Sequence, residues 1–191
     1  MTELLPVDNQ VHTHKLRIED YEMLAAAGAL DDYARTELID GSIYYMNAQH
    51  RPHGMVKLEL YDQLRDALRR LGSPLRPVVE FSLSLSPQDM PDPDLMLTSE
   101  PYGDGAVPLG SVALVIEVSD TTLKLDLGKK AALYASHGIA EYWVADVKGR
   151  AIHQLSSPAG GAYTETGIIA FGDPLTSATL PDLTIDTSGL S

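Results

Sequence analysis

A glutamate lies inside the most apolar segment of this chain. Residues 112–118 read Val-Ala-Leu-Val-Ile-Glu-Val, and a run without polar alternation predicts a strand that is covered on both faces. An ionised carboxylate in such a strand costs several kcal/mol unless a cation compensates it. Glu117 is therefore a candidate metal ligand. The alternative is a residue at the end of the strand that turns toward solvent.

Composition limits the classes of protein and of metal site to consider. The chain has 191 residues, which suits one domain with a single core, and it contains no cysteine. Disulfides and thiolate ligands are excluded, so any metal must be held by oxygen or imidazole. The net charge of -13 opposes long-range attraction to nucleic acid and leaves only a local basic patch for binding it.

The sequence shows no signal for export or for membrane insertion. No apolar stretch approaches the roughly twenty residues that a spanning helix needs. The first residues lack the basic segment and apolar core of a signal peptide. We therefore expect a cytoplasmic protein without a membrane partner.

Hydrophobic spacing predicts a chain of mixed helices and strands. Residues 1–15 lack periodicity and are expected to form a flexible N-terminal arm, with residues 16–191 as one domain. Helices are predicted over 18–27, 53–71 and 126–136. Strands are predicted over 36–46 as a hairpin turned at Asp40-Gly41, and over 78–85, 94–97, 112–118, 141–146, 151–155, near 163 and over 168–171. The order strand, helix, strand from 112 to 146 predicts a crossover between parallel strands.

Two carboxylates are predicted to share one face of the sheet. Side chains alternate along a strand, so Glu117 lies on the face of Val115 and Ser119, and Asp94 on the face of Met96. Neighbouring strands could bring Asp94 and Glu117 together. Magnesium is commonly held by one or two carboxylates with water and substrate phosphate. The alternative for Asp94 is a simple turn in the sequence Pro-Asp-Pro-Asp.

A lysine in the following helix has two interpretations. Asp126 and Lys130 are separated by one helical turn and could form an exposed ion pair of little energetic value. If the helix instead packs back on the sheet, Lys130 could approach the carboxylates. It could then orient an attacking water and stabilise charge that develops on a phosphate.

Several segments together resemble the Uma family of restriction-endonuclease-like proteins, which belongs to the PD-(D/E)xK nuclease superfamily. The segments are 37–41, 93–94, 116–119, 126–134 and 138–146, and the resemblance runs from about Ile18 to the C-terminus. It implies an α/β fold with a mixed sheet (α+β). We therefore expect a restriction-endonuclease-like core with flanking helices and a C-terminal β-hairpin extension.

The resemblance also implies roles for individual residues. Asp94 and Glu117 would hold Mg²⁺ or Mn²⁺, and Glu37 would add an acid from the preceding region. Ser119 stands where the motif lysine belongs, and the resemblance suggests that Lys130 takes over that role. The lysines at 124 and 129 are alternatives, and possible site neighbours are His53, Ser119 and Asp126.

These observations predict a magnesium-dependent endonuclease that hydrolyses phosphodiester bonds in DNA, and that forms a homodimer. A local basic strip could come from Arg51, Lys57, Lys124 and Lys129. The alternative is a catalytically inactive nuclease-fold protein with a binding or regulatory role. RNA cleavage is not separable from DNA cleavage, because no stacking platform of interleaved aromatic and basic residues is visible. The histidine pairs 12/14 and 50/53 are further candidate metal ligands.

Overall fold

The computed structural model describes residues 13–46 and 48–190. The expectations for residues 1–12, including the pairing of His12 with His14, lie outside the described residues. In chain order the elements are α1 (Ile18–Ala26), β1 (Arg35–Ile39), β2 (Ser42–Met46), α2 (Arg51–Leu71), β3 (Arg76–Val79), β4 (Leu83–Ser84), β5 (Leu95–Thr98), β6 (Val107–Pro108), a 3-10 turn (Leu109–Ser111), β7 (Val112–Ser119), α3 (Leu123–Leu125), a π-helical turn (Asp126–Lys130), α4 (Ala131–Ser136), β8 (Glu141–Asp146), β9 (Ala151–Ala159), β10 (Ala162–Ala170), β11 (Leu175–Thr176) and β12 (Thr184–Ile185).

A six-stranded mixed sheet in the order β10-β9-β8-β7-β5-β3 forms the centre of the fold. β7 and β8 are parallel, and the other neighbouring pairs of this sheet are antiparallel. The chain between β7 and β8 is helical, so the predicted crossover is confirmed. β9 and β10 form a long hairpin, and the predicted mixed α+β fold is confirmed as well.

Helices cover both faces of the sheet. On one face, α2 packs Leu60 and Leu64 against a cluster that includes Ile116 of β7. On the other face, α4 packs Tyr134 against a cluster that includes Val115 of β7. β7 is therefore buried from both sides, as its uninterrupted apolar sequence predicts. By alternation Glu117 lies on the side of α4.

The predicted strand over 78–85 is wrong, because the chain breaks at Glu80. This residue adopts the left-handed conformation with φ 57°, and β3 has already ended at Val79. The N–H of Glu80 donates to the carbonyl of Asp94 at 3.2 Å. The chain then continues as β4, which pairs in parallel with β6. Alternation of side chains cannot reveal a left-handed residue, which is rare outside glycine.

Helix boundaries also differ from the predicted ones. α2 begins at Arg51 rather than His53, and the helical stretch after β7 begins at Leu123 rather than Asp126. Within that stretch, residues 126–130 form a π-helical turn. In the part of the chain that the structure describes, no helix combines the length and apolarity that crossing a membrane requires.

Candidate active site

Two carboxylates meet where β5 begins and β7 nears its end. Leu95 pairs with Ile116, so Asp94 lies opposite Glu117. The N–H of Asp94 donates to Glu117 Oε2 at 3.4 Å, and the N–H of Val118 donates to Asp94 Oδ2 at 2.9 Å. Both carboxyl residues are 4% exposed. The solvent-facing alternative for Glu117 is therefore wrong, whereas residues 91–94 lie outside the strands and β5 begins only at Leu95.

A buried ammonium joins Glu117 to a second glutamate. Lys130 Nζ lies 3.0 Å from Glu117 Oε1 and 3.1 Å from Glu37 Oε2. Glu37 comes from β1 and has no solvent exposure. The exposed ion pair between Lys130 and Asp126 is wrong, because both residues are buried and Asp126 instead accepts a hydrogen bond from Thr122 at 2.6 Å. The structure thus brings the three acids and Lys130 together.

Three further side chains hold these carboxylates in place. Tyr134 Oη donates to Glu117 Oε1 at 2.9 Å, and His53 Nε2 lies 3.0 Å from Asp94 Oδ1. Gln49 Nε2 also donates to Asp94 Oδ1 at 3.0 Å. The sequence interpretation missed the contact of Tyr134, although this residue follows Lys130 by one helical turn and so shares its face.

Two cationic side chains lie beside Asp94. Arg35 Nη1 and Lys57 Nζ are each 3.6 Å from Asp94 Oδ1. Both also pair with Glu80, the residue with the left-handed backbone. Arg35 further donates to the backbone carbonyl of Asp92. The sequence interpretation missed Arg35, because its place on β1 becomes informative only when β1 reaches the start of β5.

The position of the motif lysine is occupied by a buried but uncharged side chain. Ser119 is 1% exposed, and its Oγ lies 3.3 Å from Thr122 Oγ1. Of the three lysines considered for the role, only Lys130 lies against the acids. Lys124 is exposed, and Lys129 is exposed with its ammonium 4.5 Å from the ring centre of Tyr44.

Burial and neighbouring acids shift the pKa of Glu117 upward. Removal from solvent raises this pKa, Lys130 lowers it, and Asp94, Asp126 and Glu37 raise it again, giving a value of about 8. Burial alone would lower the pKa of Lys130, but the charges of Glu117, Glu37 and Asp126 raise it above its ordinary value. At neutral pH the ammonium of Lys130 is therefore charged, and Glu117 favours its protonated form, from which a cation could displace the proton.

The pKa of Asp94 is shifted in the opposite direction. Burial alone would raise its pKa, but the hydrogen bond and charge of His53, the Val118 N–H and the charge of Arg35 lower it to about 2. Asp94 is therefore ionised at neutral pH. A neighbouring Asp126 has a raised pKa because of its burial, which the Thr122 hydroxyl and Lys130 only partly oppose. Carboxylates with such different pKa values are typical of functional sites.

A cavity of about 420 Å³ opens over these groups. Asp94, Glu117, Asp126 and Lys130 form part of its wall. Arg35, Tyr45, His50 and His53 are among the residues that line the rest. The cavity gives a solvent molecule or a substrate group access to otherwise buried charges.

The donor set fits a hard dication that retains water. Among residues 13–46 and 48–190, no three histidine, aspartate or glutamate side chains are arranged to enclose a metal ion. Magnesium does not require such a cage, since one or two carboxylates suffice when water and phosphate complete its shell. Asp94 and Glu117 meet that requirement at the cavity wall. Nearby, Glu37 Oε1 is buried and has no hydrogen-bond partner among the residues that the structure describes.

Comparisons with known proteins agree with this architecture. A family model described as "Putative restriction endonuclease" matches residues 18–188. A crystal structure described as "a putative nuclease belonging to DUF820 from Anabaena variabilis ATCC 29413" superposes with a TM-score of 0.69 and 15% identity, over 92% of this chain and 97% of that chain. At that identity the likeness shows the fold alone. None of the curated proteins matches the chain at a significant level.

Proposed function

Because this chain belongs to the Uma2 family of restriction-endonuclease-like proteins, we propose that it is a metal-dependent endonuclease that hydrolyses phosphodiester bonds in DNA. The observation that carries the proposal is the position of Lys130. Its ammonium is buried between Glu37 and Glu117, beside Asp94, in the wall of an open cavity. A buried charge costs several kcal/mol of free energy unless it is paired, and its location in a cavity indicates a use beyond stability.

In this proposal Asp94 and Glu117 would hold Mg²⁺ or Mn²⁺. A cation bound there supplies charge neutralisation on phosphate oxygens and lowers the pKa of a water molecule. His53 fixes the carboxylate of Asp94, and Tyr134 fixes that of Glu117. Such supporting contacts keep ligands oriented before a cation arrives.

Lys130 would position the attacking water and stabilise the charge that develops on the phosphate. An ammonium has three donors, and Glu37 and Glu117 take two of them in this structure. The third donor would serve a water or phosphate oxygen at the cavity wall, which Lys130 lines. Glu37 would hold the ammonium in this orientation, and its unpartnered Oε1 could accept a hydrogen bond from the water.

The test is cleavage by the full chain with Mg²⁺ or Mn²⁺. Plasmid DNA and single- and double-stranded oligonucleotides, of DNA and of RNA, are incubated with the protein. We expect products with either metal and none with excess EDTA. A folded protein that cuts none of these substrates with either ion contradicts the proposal.

The pKa of Glu117 leads to a pH dependence of metal binding. Since a carboxylate must lose its proton to bind a cation, binding below pH 8 must displace a proton from Glu117. The dissociation constant for Mn²⁺ should therefore fall by about tenfold per pH unit up to about pH 8 and then level off. Calorimetry in buffers with different ionisation heats measures both the constant and the released proton. Glu117→Gln is the control, in which no proton release should remain.

A catalytically inactive nuclease-fold protein with a binding or regulatory role is the second candidate. It is favoured by the ammonium of Lys130, which already lies within 3.1 Å of Glu37 and 3.0 Å of Glu117 and supplies a positive charge to both carboxyl groups. Calorimetry separates the two candidates. A protein that has lost metal binding should give no saturable heat with Mg²⁺ or Mn²⁺, whereas an active site should give heat that Glu117→Gln removes.

We also propose that the protein is a cytoplasmic homodimer. β10 lies at one edge of the central sheet, where its backbone groups are available to a second chain, and Ile168 on this strand is 71% exposed. A contact between the same edge strand of two copies would have two-fold symmetry, as most homodimers have. Light scattering coupled to size-exclusion chromatography measures the mass, and a monomer at micromolar concentration would contradict the dimer.

A further inference from the structure

We propose that the substrate is a single-stranded nucleic acid, with one unpaired base stacked on Tyr45 at the rim of the cavity. The inference rests on the proposed nuclease function for its chemistry and adds the class of substrate. Tyr45 lines the same cavity as Asp94, Glu117 and Lys130. A base on this ring would therefore adjoin the space in which a phosphate could meet these charged groups.

Tyr45 belongs to an aromatic platform. Its ring stacks on that of Tyr33, with 4.7 Å between the ring centres and 30° between the planes. The two residues are nevertheless exposed, Tyr33 at 44% and Tyr45 at 64%. Since the stack covers only one face of each ring, the exposure of Tyr45 leaves its other face open to a base. The sequence alone does not reveal this pair, because Tyr33, before β1, meets Tyr45 on β2 only in the folded chain.

Basic side chains lie beside the cavity that Tyr45 lines. Lys129 holds its ammonium over the ring of Tyr44, on the face of β2 opposite to Tyr45. Lys124 and Lys129 line a shallow depression. The depression shares Thr121, Thr122 and Leu125 with the cavity. The backbone of a strand that leaves the cavity can therefore pass the two exposed lysines. Stacking aromatics beside a basic track are typical of single-strand binding.

The net charge of the protein favours binding of a single-stranded nucleic acid over binding of a duplex. With a net charge of -13, the chain has little capacity to neutralise both backbones of a duplex. Arg35 and Lys57 are already paired with Asp94 and Glu80. Stacking of a base on a tyrosine ring supplies affinity without cationic side chains. A base in a duplex reaches such a ring only after it leaves the base stack of the duplex, which costs free energy.

The experiment measures binding separately from cleavage. Fluorescence anisotropy is recorded with labelled single strands of DNA and of RNA, with the duplex of the same sequence, and with a single strand that lacks bases. Each is measured with EDTA and with Ca²⁺. We expect the single strands to bind about tenfold or more tightly than the duplex, and loss of the bases to remove the difference. The DNA and RNA arms identify which sugar the protein prefers.

Tyr45→Ala should weaken binding of the single strands by about tenfold or more, whereas Tyr45→Trp should preserve it. Tyr102→Ala is the matched control, because Tyr102 is 101% exposed and does not line the cavity, and it should leave binding unchanged. Equal binding of duplex and single strand, or no effect of Tyr45→Ala, overturns the inference. If metal-dependent cleavage persists in that case, the nuclease proposal survives alone. Tyr45-dependent binding without cleavage supports the inference and contradicts the hydrolysis.

Discussion

Glu117→Gln should lower the rate of metal-dependent cleavage by about 10³-fold or more while the protein remains folded. Glutamine fills the same volume and can still accept a hydrogen bond from Tyr134. It lacks the charge with which Glu117 would hold a cation beside Asp94. Loss of one such ligand removes several kcal/mol of transition-state stabilisation, and about 1.4 kcal/mol corresponds to a tenfold change in rate.

The stability of the Glu117→Gln protein separates a catalytic defect from a folding defect. The raised pKa of Glu117 means that the neutral amide resembles the form that this side chain already favours at neutral pH. Urea unfolding should therefore give a midpoint close to that of the original protein. Glu165→Gln on β10 makes the same chemical change at an exposed position and should leave the rate unaltered. A Glu117→Gln rate within tenfold of the original would remove Glu117 from the site.

Glu141→Ala should reduce the free energy of unfolding by roughly 4 kcal/mol. Glu141 on β8 is fully buried, and its carboxylate accepts six hydrogen bonds. The donors are the side chains of Trp143, Gln154, Ser177 and Thr179 and the N–H groups of Ala178 and Thr179. Alanine would leave them without an acceptor. Urea unfolding measures the loss, and Glu165→Ala is the exposed control.

The same carboxylate makes stability depend on pH. Burial alone would raise the pKa of Glu141, but the hydrogen bonds from Ser177, Ala178, Gln154 and Trp143 lower it below its ordinary value of 4.5. Because the folded pKa is the lower one, the contribution to stability is present above pH 4.5 and is lost as pH falls through the folded pKa. Glu141→Gln should show a smaller loss of stability between pH 6 and acidic pH than the original protein. An identical pH profile for the two proteins contradicts this role.

Local patterns in the sequence account for the sheet and for part of the site. The apolar run around Glu117 predicts a buried strand, and alternation predicts that Asp94 and Glu117 share a face. Both features depend on only a few consecutive residues. The family match and the shared fold are consistent with these expectations. The roles of Glu37, Asp94, Glu117 and Lys130 in catalysis stay predictions.

Features that depend on contacts between distant segments could not be read from local patterns. The meeting of Glu37 with Lys130 requires β1 to approach the helical stretch after β7. The carboxylate of Glu141 finds its donors on β8, on β9 and in the chain beyond β11. In the sequence, Glu141 is only the first residue of an apolar strand. The left-handed Glu80 carries no local signal, because its conformation is stabilised by the carbonyl of Asp94.

The π-helical turn over Asp126–Lys130 offsets the side chains before it from those after it, compared with a continuous α-helix. One residue advances an α-helix by about 100°, so removing Gly128 and restoring regular winding would rotate the segment before the turn relative to α4. Lys130 and Tyr134 would keep their alignment with Glu117, whereas Thr122 and Asp126 would swing away from it. Insertion or deletion of a single residue in the π-helical turn would therefore move the Thr122–Asp126 pair while Lys130 stays in place.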